Sequence, residues 1–149
     1  MRQRLLFILP AGIAGALMAV QGGLNALLAK IIGLTEATFS VHFLATITAL
    51  LLLIPSFLKG INLGTLSKVP WYLWIGGPLG VAITYGVVIS FPKLGAGKAT
   101  TAIIACQLLT AYLLDHLGWL DMPVRPLRPV HLIGILLMAL GVHLLWQER

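Results

Sequence analysis

The chain has 149 residues, of which 59% are hydrophobic and 9% charged, with a mean hydropathy of +1.00. Ten Lys and Arg and four Asp and Glu cannot clothe a soluble domain of this length in charge, whereas a chain solvated by lipid needs no such coat. A water-soluble globular domain is thereby excluded, and the net charge of +6 reads as loop charge beside anionic headgroups rather than as a nucleic-acid footprint.

Five stretches are long enough, or nearly so, to cross a hydrocarbon core of roughly 30 Å. They are 5–32, 37–58, 71–90, 99–119 and 130–146. The connectors GLTE, KGINLGTLSKVP, FPKLGAGK and DMPVRPLRP are short and turn-rich, and none can fold alone. The expectation is one all-α integral membrane domain over 1–149, without an internal repeat. Arg2 and Arg4 before an apolar run imitate a secretory signal, but the run continues to Ile32 and further spans follow.

The first span carries Gln21 and Asn25 one turn apart. Gly12, Gly15, Ala16, Ala19, Gly23 and Ala26 gather on roughly the opposite side. Small residues at three- and four-residue spacing admit another helix closely, so this span is expected to pack on both sides. The second span places Thr35, Thr38, His42 and Thr46 in a stripe, with Glu36 at its entrance. A helical threonine commonly bonds its own backbone. His42 at bilayer depth is either a fixed hydrogen-bonding group or the best candidate for proton coupling.

The third span opens on an aromatic belt, Trp71, Tyr72 and Trp74, and then meets Gly76, Gly77, Pro78 and Gly80. Pro78 removes a backbone donor, so a kink that frees the Trp74 carbonyl is expected, with Tyr85 on about the same face placed to close a cavity. The turn PKLGAGKAT imitates a phosphate-binding loop. That motif needs a glycine where Pro92 stands and a hydroxyl where Ala99 stands, so nucleotide binding is rejected and no cofactor is expected.

The fourth span holds Gln107 in its middle. An amide at that depth has no water to bond and must face another helix or a wet cavity. Thr100, Gln107, Ala111 and Asp115 fall within roughly 80° of one helical face. Cys106, the single cysteine, permits neither an intrachain disulfide nor a C-x-x-C motif. Asp115 and His116 are the one adjacent acid–base pair, but neighbours on a helix point about 100° apart, a poor catalytic dyad. No enzyme is expected. The fifth span has Gly134 and Gly141 on one face, with His131 and His143 near its two ends and no carboxylate at ligand spacing, so no metal site is expected.

With an odd number of spans the termini lie on opposite sides. Arg2, Arg4, Lys59, Lys68, Arg125 and Arg128 fall on one side, and Lys30, Lys93, Lys98 and Arg149 on the other. The bias places the N-terminus weakly in the cytoplasm and permits insertion in both directions.

The segment from Phe91 to Trp119, with PKLGAGKATTAIIACQLLTAYLLDHLG, resembles the matching segment of the YdcZ-like family within the drug/metabolite transporter superfamily. The Gln21 and Asn25 pair and HLIGILLMALGVHLL are similar to that family too. The resemblance implies a multi-pass protein of the bacterial inner membrane that looks like one half of a ten-helix transporter. Such a half would need an inverted partner, a second copy or a paralogue, to complete a central pathway. Small multidrug-resistance relatives use a first-span Glu for cations and protons, where this chain offers neutral Gln21 and Asn25. Neutral amides, hydroxyls and one histidine suit a small polar or zwitterionic solute. The candidate binding residues are Gln21, Asn25, His42, Thr46, Tyr85, Thr100 and Gln107. The alternative is an interaction subunit whose polar groups only hold helices together.

Overall fold

The computed structural model describes residues 2–60 and 63–147, with side chains described for 7–60 and 64–147. Arg2, Arg4 and Arg149, which enter the charge balance, lie outside the described side chains. Among the described residues the regular elements are all helical: α1 (Arg2–Ile32), α2 (Leu34–Leu58), α3 (Gly76–Leu94), α4 (Ala96–Leu117) and α5 (Pro129–Trp146), with short 3₁₀ turns at Leu63–Lys68, Trp71–Ile75 and Trp119–Asp121. All five long helices, α3 counted with the Trp71–Ile75 turn that leads into it, are apolar enough to span a membrane, and at most 6% of each apolar window is buried. Side chains such as Phe7, Leu52, Leu58 and Leu136 point outward, which lipid rewards and water would not.

The chain divides into two compact units, Met1–Lys93 and Leu94–Arg149. In the first, α1 and α3 meet where Gly22 stands. A Cβ there would lie 2.8 Å from Cζ of Phe91 and 2.9 Å from Cγ1 of Val87, so the absent side chain leaves the space that these two side chains fill. Around it the buried set is Ala26, Ala37, Val88 and Phe91 with the polar Asn25 and Thr38. The face expected to pack, by contrast, is largely open: a Cβ at Gly12, Gly15 or Gly23 would meet nothing within 4 Å. The contact uses the one glycine whose neighbours, Asn25 and Ala26, continue the same stripe.

Helices α1 and α2 are joined by a single residue, Gly33, at φ 99° and ψ 157°, and α3 runs into α4 through Gly95 at φ 79° and ψ 151°. That region of backbone space is essentially glycine's alone. Each glycine carbonyl accepts the N–H four residues on, Ala37 at 3.0 Å and Ala99 at 3.1 Å, and both alanines are 1% exposed. The sequences are Gly33-Leu-Thr-Glu36-Ala37-Thr38 and Gly95-Ala-Gly-Lys98-Ala99-Thr100. The same local glycine turn into a helix therefore occurs twice, at Gly33 and at Gly95.

The expected kink at Pro78 takes another form. The aromatic belt is a 3₁₀ turn, Trp71–Ile75, and α3 starts at Gly76, which puts Pro78 in its first turn. There its missing N–H would have had no helical partner in any case.

In the second unit, α4 ends at Gly118 in the left-handed conformation, and the connector is pinned back onto the helix end. The Arg125 N–H donates to the Asp115 carbonyl at 2.8 Å, and the Leu127 N–H donates to Nδ1 of His116 at 3.2 Å. Pro129 opens α5, and the Arg128 N–H is taken by Nδ1 of His131 at 3.1 Å.

A polar stripe within apolar helices as the candidate functional site

A hydroxyl in hydrocarbon must find an acceptor, and most here find the carbonyl four residues back. Thr38 donates to Leu34 (2.8 Å), Thr46 to His42 (2.9 Å), Thr48 to Leu44 (2.9 Å), Thr101 to Gly97 (2.8 Å) and Thr110 to Cys106 (2.9 Å). Thr46 thus has its proton engaged within α2 and offers a ligand only its lone pairs. Two polar contacts instead run between helices. Nε2 of His42 lies 3.2 Å from Oγ1 of Thr84, and Oγ1 of Thr35 lies 3.4 Å from the Tyr85 hydroxyl. Thr35 and His42, two turns apart on α2, therefore meet consecutive residues of α3.

The first-span pair divides between two environments. Asn25 is 8% exposed, while Gln21, one turn earlier, is exposed and lines with it an open groove along α1 bordered by Ala14, Leu17, Met18 and Leu24. Among the described residues Asn25 has no hydrogen-bonding partner, and its amide atoms are accessible, so they keep capacity for a ligand or a water. Two of the seven candidate residues belong to the second unit: Thr100, half-buried in the first turns of α4, and Gln107, exposed at mid-helix. In the first unit, Tyr85 is 37% exposed.

Sequence reasoning did not single out Thr84, the partner of His42. Its signal was available: a hydroxyl in the middle of an otherwise apolar span carries the same cost as the amide of Gln107. Gly22 was hidden for the opposite reason. The run is rich in small residues, and composition cannot say which of them meets a neighbour.

The arrangement offers amides, hydroxyls and an imidazole inside helices, and among the described residues no group of three or more His, Cys, Asp or Glu is placed to hold a metal ion. It can accept and donate hydrogen bonds to a solute. A family model described as "Putative inner membrane exporter, YdcZ" matches residues 6–144. No curated protein and no solved structure matches significantly.

Proposed function

The chain belongs to the YdcZ family of inner membrane exporters, and from that premise we propose that it is a secondary transporter of a small polar or zwitterionic solute. In this reading the five spans act as a single domain over residues 1–149, related to one half of the larger drug/metabolite transporters. The solute pathway is completed by a partner of opposite orientation, a second copy or a paralogue. The proposed contacts are Gln21, Asn25, His42, Thr46, Tyr85, Thr100 and Gln107.

The observation that carries the reading is the amide of Asn25, which makes no hydrogen bond among the described residues and opens onto the groove that Asn25 lines with Gln21. An amide at bilayer depth with no protein partner needs a polar contact that lipid cannot give, and a polar solute would supply one. The neutral lining favours solutes without net charge. The open face of Gly12, Gly15 and Gly23 supports close approach of a second chain, and the slight bias of positive charge, six residues on one side against four on the other, supports dual orientation.

Reconstituted vesicles loaded with a panel of polar metabolites at two pH values test the proposal. Flux of one or more neutral or zwitterionic solutes above that of empty vesicles is expected, and tags on both termini should be accessible from both sides. A protein that assembles but moves no member of the panel would leave the interaction-subunit reading, which the back-bonded hydroxyl of Thr46 favours.

A further inference from the structure

The end of the α4–α5 connection carries a second polar cavity, separate from the seven residues above. It measures about 380 Å³ and is lined by Leu108, Ala111, Tyr112, Asp115, Arg125 and His131. That volume falls in the range of small-ligand sites, about 300 to 1,000 Å³. Tyr112 and His131 form one wall, their rings stacked with centroids 5.2 Å apart.

The cavity holds one carboxylate and one guanidinium, and they do not pair with each other. The bond that joins their residues is a backbone one, from the Arg125 N–H to the Asp115 carbonyl, and among the described residues neither side chain enters an ion pair. Two opposite charges sharing a cavity while remaining separate match a ligand that carries both signs. Charge-assisted hydrogen bonds at each end would be the strong contacts.

The connector is held in place for this. The bonds from Arg125 to Asp115 and from Leu127 to His116 anchor it at two points. Leu120 and Asp121 take left-handed backbone angles, φ 57° and 61°, that such anchoring must sustain. Pro123 and Pro126 further limit its freedom, so little ordering is left to be paid on binding. Ala111 and Asp115 also share a face of α4 with Gln107, which lies eight residues back and so about 12 Å deeper along the helix.

We propose that this cavity is a docking site for zwitterionic solutes at the membrane surface. Asp115 accepts from the ammonium group, Arg125 donates to the carboxylate, and the Tyr112 and His131 rings flank the carbon chain. The site lies on the face of α4 that also carries Gln107, and the inference rests on the transport reading for its purpose but not for its chemistry.

The test uses the full chain in lipid nanodiscs and measures binding of glycine, β-alanine and γ-aminobutyrate, which separate the two charges by increasing distances. Controls are analogues with one charge removed: the amide, which keeps the cation, and the N-acetyl acid, which keeps the anion. At least one zwitterion should bind ten-fold or more tightly than its analogues, and Asp115→Asn and Arg125→Gln should each weaken it at least ten-fold. The swapped pair Asp115→Arg with Arg125→Asp should restore binding in the reversed pose, which loss of folding would not. The inference is overturned if none of the three binds, if the single-charge analogues bind equally well, or if both single variants bind within two-fold of wild type. Flux on the same proteins separates the two ideas. Zwitterion flux that is indifferent to both substitutions, together with wild-type binding, removes the docking site and leaves transport standing. Docking that depends on Asp115 and Arg125 in a protein that carries no solute removes transport instead.

Discussion

Substituting Gly22 by alanine should open the α1–α3 crossing, and its neighbour supplies the control. A methyl at Gly22 would sit 2.8 and 2.9 Å from two atoms of the Phe91 ring and 2.9 Å from Cγ1 of Val87, whereas a methyl at Gly23 would meet nothing within 4 Å. Phe91 is 7% exposed, so its ring has little room to retreat, and β-branched Val87 is stiff about χ1. Overpacking of this kind costs about 1–3 kcal/mol. Alanine also gains about 0.8–1.0 kcal/mol of helix propensity over glycine, but both substitutions gain it, so the difference between them isolates the clash. Gly22→Ala should therefore be less stable than Gly23→Ala by about 1–3 kcal/mol, a factor of about 5 to 150 in the unfolding equilibrium. Unfolding in mixed detergent–SDS micelles, followed by circular dichroism, measures it. Adding Val87→Ala should recover part of the loss. Equal stability of the two alanine variants would refute the close crossing and, with it, the burial of Asn25 one turn further along α1.

Two further tests rest on hydrogen bonds and backbone angles of the first unit. A double-mutant cycle with His42→Leu and Thr84→Val should give a coupling of about 0.5–1.5 kcal/mol in the same unfolding assay, against none for His42→Leu with Thr48→Val, because Thr48 bonds only its own helix. Gly33→Ala should cost about 1–3 kcal/mol, since its backbone angles belong to glycine and the added methyl would press on the Glu36 carboxylate. Thermal unfolding in detergent checks it, and an unchanged midpoint would contradict the single-residue join.

The membrane class, the helical fold and the number of spans were legible because hydropathy is a sum over many residues and tolerates local error. Family membership was legible in the segment around Gly95, Thr100, Gln107 and Asp115, where polar residues at bilayer depth stand out from an apolar background. Packing was less so. Gly12, Gly15, Gly22 and Gly23 look alike in sequence, and only the path of α3 singles out Gly22. Pro78 could be read as a kink or as a helix start, and a 3₁₀ turn before it decides the matter. The pairing of Arg125 with the end of α4 depends on a connector in which Leu120, a residue type without preference for it, takes the left-handed conformation beside Asp121.

The claim on which the functional account turns is that amides inside the helices contact a moving solute. Its most direct test is initial-rate flux of the best solute of the panel through vesicles holding equal amounts of wild type and Gln107→Leu, with assembly checked by cross-linking. The account predicts that flux falls at least ten-fold while the cross-linked fraction is unchanged. Undiminished flux, or loss of assembly together with flux, would contradict it.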